Sequence, residues 1–227
     1  MKTILLLHGA LGTKEELLPL ERALSIDFTV HSINFHGHGG EPIQNEFSIE
    51  YFARQVLDWL EEKQIDSINI VGHSMGGYVG LYLAHNYPEK IESVVTLGTK
   101  LYWDVSVAEK EILQLDPATI EAQSPAFAEV LKKRHAPADW RTVLIHIAAM
   151  LRHIGHFNPV RLEDFSKIQP PVLLMVGDKD KMVSLVETTT VFKELPNSQL
   201  AVLPNTPHDI TETDVVLVTC MIKRFLS

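Results

Sequence analysis

Short apolar runs alternate with helix-length amphipathic segments along this chain of 227 residues. The apolar runs predict six strands at residues 3–8, 28–34, 67–71, 93–97, 172–176 and 199–203. The segments between and after them predict helices at residues 14–25, 48–63, 75–86, 183–194 and 212–225. This alternation is typical of a mostly parallel, doubly wound α/β sheet that is covered by helices.

The alternation stops between residues 100 and 169, where the pattern is helical throughout. An apolar stripe there has helical spacing, and it comprises Trp140, Val143, Leu144, Ile147, Met150, Leu151 and Ile154. Prolines divide the region into about four short helices. We therefore expect a core domain formed by residues 1–99 and 170–227, with residues 100–169 inserted as a helical cap after the fourth strand.

The segment Gly72-His73-Ser74-Met75-Gly76 matches the G-x-S-x-G pattern of a nucleophile elbow. A sharp turn from strand to helix strains the serine backbone, and glycines two residues before and after it avoid a collision. A glycine-rich turn without chemistry is the alternative. The apolar strand before the motif and the helical segment after it favour the elbow, with Ser74 as nucleophile.

A serine nucleophile needs a base, and the base needs a carboxylate that fixes its tautomer. His208 follows the last strand, at the edge of the sheet where α/β folds place their sites. Asp178 and Asp180 both follow the preceding strand. The order Ser, Asp, His is the one expected for this fold, but the order alone does not choose between the two aspartates.

Composition narrows the possible partners. A formal net charge of −9 disfavours nucleic acid and anionic membranes, because both would repel the chain. The apolar run Ile4 to Leu7 is too short for a signal peptide, so we expect a cytoplasmic protein. The single cysteine, Cys220, excludes an internal disulfide, and its apolar neighbours predict a buried thiol.

In this order of motifs the chain resembles the α/β-hydrolase superfamily, specifically its small, cap-bearing, esterase-like members. The resemblance covers nearly the whole chain and lies in His8-Gly9, Gly37-His38-Gly39, the elbow, the loop at Gly177, and His208. It implies that Asp180, three residues after the loop glycine, is the triad acid. It also implies that the backbone N–H groups of Ala10 and Met75 form the oxyanion hole. His8 is better explained as a structural residue under this loop.

Together these features predict a serine esterase for a small or medium acyl substrate, without a metal or cofactor. The histidine pair His36 and His38 is explained by the loop of the family rather than by a metal. A C–C bond or N-terminal peptide hydrolase and a slow-turnover ligand receptor are the alternatives. The expected pocket residues are Leu11, Trp103, Trp140 and Met150.

Overall fold

The computed structural model describes residues 1–227. Its six strands are β1 (Thr3–Leu7), β2 (Thr29–Ile33), β3 (Ile68–His73), β4 (Ile91–Leu97), β5 (Val172–Gly177) and β6 (Ser198–Leu203). They form one sheet in the order β2-β1-β3-β4-β5-β6, and every pairing is parallel. The expected α/β fold is confirmed, and each strand lies within two residues of its predicted position.

The helices are α1 (Leu18–Leu24), α2 (Ile49–Lys63), α3 (Met75–Asn86), α4 (Val105–Ile112), α5 (Pro117–Gln123), α6 (Pro125–His135), α7 (Trp140–His156), α8 (Leu185–Glu194) and α9 (Val215–Leu226). Capping residues set several of these bounds. Ser48 accepts a hydrogen bond from the N–H of Tyr51 at the start of α2. Asp214 accepts from the first N–H groups of α9, which therefore begins later than the apolar pattern predicts.

The sheet is buried because its central strands are apolar on both faces. In β1, Leu5 and Leu7 join the larger apolar core on one face, whereas Ile4 and Leu6 join the smaller core on the other. Alternate residues of a strand point to opposite faces, so one apolar run supplies both cores. Because every pairing is parallel, the carboxyl ends of the strands, and the loops that follow them, lie on one edge of the sheet.

Helices α4 to α7 lie between β4 and β5, where the helical pattern predicts them. The stripe of α7 is divided between two apolar clusters: Val143, Ile147, Met150 and Ile154 belong to the larger core, whereas Trp140 and Leu144 belong to a small cluster within the segment. Helix α7 therefore contributes buried apolar surface to the same core as the sheet. No helix of the structure is long and apolar enough to cross a membrane.

The prediction for Cys220 was wrong, because its thiol lies on the exposed face of α9. Val218, Ile222 and Leu226 of that helix face the core instead. Apolar residues occur on both faces of α9, and Val216, one turn before the cysteine, is 78% exposed. Apolar neighbours in sequence therefore did not indicate which face is buried.

Candidate active site

Ser74 occupies the sharp turn between β3 and α3 that the elbow motif predicts. Its backbone has φ 50° and ψ −118°, a conformation that residues with a side chain rarely adopt. A Cβ atom on Gly72 would lie 2.3 Å from the carbonyl carbon of Gly76, and one on Gly76 would lie 2.4 Å from the carbonyl oxygen of Leu7. Only glycine fits at either position, so both glycines are needed for this strained turn to form.

His208 and Asp180 form a hydrogen-bonded pair. The Nδ1–H of His208 donates to Oδ2 of Asp180 at 2.8 Å, which leaves Nε2 of the histidine free to act. Oδ1 of Asp180 accepts the N–H groups of Met182 and Val183, each at 2.8 Å. Burial raises the pKa of this carboxyl, but the hydrogen bond and charge of His208 together with the two N–H donors leave it below its ordinary value.

Asp178 has a different environment. Its side chain is 38% exposed and accepts a hydrogen bond from the N–H of Thr206, whereas the side chain of Asp180 is only 1% exposed. Of the two aspartates that the sequence offered, only Asp180 contacts His208. Asp178 instead ties together the loops that follow β5 and β6.

Ser74 and His208 line one cavity of about 370 Å³, most of whose surface is apolar. No hydrogen bond joins the hydroxyl of Ser74 to His208 in this structure. Such bonds are often long before substrate binds and shorten in the complex. The residues around the cavity include no group of three His, Cys, Asp or Glu side chains arranged to hold a metal ion.

Ala10 and Met75 also line the cavity. Met75 is the first residue of α3, where a backbone N–H has no partner within the helix. The N–H of Ala10 makes no hydrogen bond within the protein. It shares a planar peptide group with the carbonyl of Gly9, so it must point away from that oxygen.

Two hydrogen bonds to the carbonyl of Gly9 fix the loop that carries Ala10. The carbonyl of Gly9 accepts from the N–H of Gly12 at 3.0 Å and from Nδ1 of His8 at 2.7 Å. Nε2 of His8 accepts the N–H of Phe35, so the proton of this imidazole is on Nδ1. Burial lowers the pKa of His8 well below its ordinary value, which keeps it neutral. The structural interpretation of His8 therefore agrees with its contacts.

His73, inside the elbow motif, is a residue that the sequence analysis did not single out. Its Nε2–H donates to the backbone carbonyl of His208 at 2.9 Å, and burial lowers its pKa to about 4. The hydrogen bond ties the elbow to the loop that carries His208. Its position directly before Ser74 was visible in the sequence, but its partner lies 135 residues away.

Three of the four expected pocket residues, Leu11, Trp103 and Met150, line the cavity. Trp140 does not. Its ring is buried inside the inserted segment against a small apolar cluster comprising Ile120, Ala128, Leu131 and Leu144. It occupies the first turn of α7, while the part of that helix that borders the cavity begins two turns later at Ile147.

The family profile described as alpha/beta hydrolase fold matches residues 2–164 of this chain. The chain belongs to the α/β hydrolase family. The matched stretch includes Ser74 and both residues of the expected oxyanion hole, whereas Asp180 and His208 lie beyond it. Their assignment in this α/β hydrolase therefore depends on the contacts described above.

Individual relatives of this α/β hydrolase are distant. A putative carbamate hydrolase, RutD, of Acinetobacter baylyi is 24% identical in an alignment of 219 positions, which covers 82% of this chain and 77% of the relative. An esterase from Thermogutta terrifontis has a similar structure, with a TM-score of 0.81 at 20% identity over 100% of this chain and 89% of the other. An enol-lactonase from Burkholderia xenovorans has a TM-score of 0.78 at 19% identity, over 99% and 91%. These structures share the fold.

Proposed function

We propose that this α/β hydrolase is a serine esterase that cleaves small or medium carboxylic esters through an acyl-enzyme. The observation that carries the proposal is the hydrogen bond between the inaccessible carboxylate of Asp180 and His208, beside a cavity that Ser74 also lines. In this arrangement Nδ1 of His208 is occupied, and Nε2 is the nitrogen left to exchange a proton with the serine.

In the first half of the reaction, Oγ of Ser74 attacks the ester carbonyl carbon while Nε2 of His208 takes the hydroxyl proton. The carbonyl oxygen becomes an oxyanion that accepts hydrogen bonds from the N–H groups of Ala10 and Met75. Losing one such donor costs about 10²–10³ in rate, so the two together supply a large part of the catalysis. The intermediate collapses, and the alcohol leaves with the proton from His208.

In the second half, Nε2 of His208 removes a proton from a water molecule, which attacks the acyl carbon. The second oxyanion occupies the same two donors. When it collapses, Ser74 Oγ leaves and recovers its proton from His208, and the carboxylic acid is released. Asp180 stabilises the imidazolium that forms in each half without itself taking the proton.

The size of the cavity supports small or medium substrates. A volume of about 370 Å³ lies near the lower end for small-molecule sites. We propose that residues 100–169 act as a cap over Ser74, since Trp103 and Met150 from this segment border the same cavity as the serine. Two similar proteins are named as a putative carbamate hydrolase and an enol-lactonase. Carbamates and lactones are cleaved at an acyl carbon, as esters are, so both belong in the substrate panel.

A panel of acyl esters, lactones and carbamates tests the proposal when it is combined with a fluorophosphonate probe. We expect steady turnover of at least one ester and covalent labelling of the protein. Ser74→Ala should fold and lose both, whereas Ser166→Ala, which alters an exposed serine, should keep both. Hydrolysis by the Ser74→Ala variant at the original rate would refute the proposal.

The same panel, extended with C–C bond substrates and N-terminal peptides, separates the alternatives. A single burst without turnover would indicate a ligand receptor that retains the triad. Turnover confined to C–C substrates or to N-terminal peptides would indicate the other hydrolase activities. The cytoplasmic location stays a prediction, which cell fractionation can check.

A further inference from the structure

Two cationic side chains border the apolar cavity, and each of them is paired with one or more carboxylates. Arg134, near the end of α6, forms an ion pair with Glu16 and donates a second hydrogen bond to the carbonyl of Leu11 at 2.6 Å. Their side chains are only 17% and 15% exposed. Leu11 follows the oxyanion donor Ala10 directly, so this ion pair lies beside the reaction centre.

Lys100 is the second cation. Its Nζ lies 3.6 Å from Glu111 and 3.8 Å from Glu187, and it donates to the carbonyl of Met182 at 2.9 Å. Two carboxylates thus surround one ammonium group. If one of these carboxylates were removed, the other would still neutralise Lys100. Arg134, in contrast, has Glu16 as its single ion-pair partner.

Glu16 is fixed in place rather than free to turn away. Its Oε2 accepts the N–H of Thr13 at 3.2 Å, at the start of the short 3₁₀ helix Lys14–Leu17. A Cβ atom on Gly12 would lie 2.5 Å from the same oxygen, so the carboxylate packs directly against the backbone. A ligand that displaced Glu16 from Arg134 would leave this mostly buried carboxylate without its cation, which is costly.

We infer that the site selects uncharged substrates, and that Glu16 determines this selection by occupying the guanidinium that would otherwise bind a substrate carboxylate. The inference rests on the proposed esterase function and adds the substrate class. A guanidinium binds carboxylates through paired, charge-assisted hydrogen bonds. With Glu16 in place those donors are used. The remaining lining is mostly apolar, its other cation, Lys100, is paired with two carboxylates, and Asp209 adds a negative charge that would repel a substrate anion.

The test uses ester pairs that differ only in a terminal carboxamide or carboxylate. Monoethyl glutarate and ethyl 4-carbamoylbutanoate place the group on the acyl side, and 3-acetoxypropanoate and its amide place it on the alcohol side. We expect wild-type kcat/KM to favour the carboxamide of each pair by about 10-fold or more, the scale of one charge-assisted hydrogen bond. Turnover of the neutral esters, abolished in Ser74→Ala, tests the underlying function separately.

In Glu16→Gln the amide oxygen can still accept from Thr13, but Arg134 loses its counter-charge. The ratio of kcat/KM for carboxylate over carboxamide should rise about 10-fold or more for at least one ester pair. Because both rates come from one variant, a general loss of activity cancels in the ratio. The double variant Glu16→Gln/Arg134→Gln should lose this gain.

Glu15→Gln is the matched control, because it removes the same charge from the adjacent, exposed position, which does not border the cavity. It should keep the wild-type ratio for both pairs. A wild-type preference for carboxylates, or the same ratio in Glu16→Gln as in wild type, would overturn the inference while leaving the esterase function intact. An equal rise in Glu15→Gln would also overturn it, since net charge rather than Arg134 would then be responsible.

Discussion

At the residue scale, the two aspartates that follow β5 give a direct test of the triad. Asp180→Asn should lower kcat by up to about 10⁴, because the histidine would lose the carboxylate that fixes its tautomer. Asp178→Asn should cost far less, since this side chain contacts the N–H of Thr206 and not His208. Steady-state kinetics on one active ester measures both effects.

Circular dichroism and thermal unfolding provide the control for folding in both variants. A larger kinetic loss at Asp178 in a well-folded protein would contradict the assignment. Equal and small losses would move the search to another carboxylate near His208. Asp104, which follows β4, is already engaged elsewhere, because its side chain caps α4 by accepting the N–H of Val107.

Residues whose role depends on local geometry could be predicted from the sequence. The elbow is such a case, since Gly72, Ser74 and Gly76 lie within a single strand-to-helix turn and Gly72 packs directly on Gly76. Trp140 and Arg134 could not be assigned, because the spacing of a helix identifies a face but not what that face contacts. Arg134 meets Leu11 across 123 residues, and no local pattern indicates that contact.

At the scale of elements, α3 must lie very close to the sheet. Gly72→Ala should lower the free energy of unfolding by about 1–3 kcal/mol or more, because the new methyl group meets backbone atoms of Gly76 and Gly77 at 2.3 Å. Urea unfolding measures the change. Gly80→Ala is the control in the same region, since its methyl group would meet side-chain atoms of Ile70 and Val94 at 2.9 and 3.1 Å.

Alanine also has a higher helix propensity than the glycine it replaces in Gly80→Ala. The decrease in the free energy of unfolding should therefore be clearly smaller for this variant than for Gly72→Ala. Equal losses in the two variants would show that the approach of the backbones at the elbow does not limit stability. The comparison therefore separates strain at the turn from crowding under the helix.

Helix α7 gives a second prediction at this scale, for the proposed cap. Met150→Ala should shift the preference among acyl lengths towards longer chains, because Met150 is buried and borders the cavity. Rates on a series of esters from acetate to octanoate measure the profile. Ile145→Ala is the matched control, since Ile145 lies on the outer side of the same helix and is 63% exposed.

The profile of Ile145→Ala should match that of the wild type. If Met150→Ala lowered every rate equally, it would have damaged the fold rather than widened the cavity. An unchanged profile in a stable Met150→Ala protein would show that this side chain only packs the inserted helices.

At the scale of the whole molecule, buried neutral histidines make stability depend on pH. Burial lowers the pKa of His38 and of His73 to about 4, and that of His135 to about 3. In the unfolded chain their pKa values lie near 6.5. Between these values the unfolded state binds more protons, so stability must fall as the pH drops below about 6.5.

Urea unfolding between pH 7.5 and 4.5 measures this loss, to which each histidine contributes at most about 1.4 kcal/mol per pH unit. Burial raises the pKa of Glu16, which opposes the trend at the acidic end. His135→Gln should make the dependence shallower, whereas His153→Asn, on an exposed position, should not. Constant stability across the range would contradict the neutral, buried state of these histidines.

The position of β6 has a consequence for how the activity is lost on heating. This strand is at the edge of the sheet and pairs only with β5, and His208 lies just beyond its end. Edge elements open more readily than central ones, while Ser74 follows β3 in the middle of the sheet. Thermal inactivation should therefore precede the cooperative melting of the domain, as the base detaches while the nucleophile is still held in its native turn.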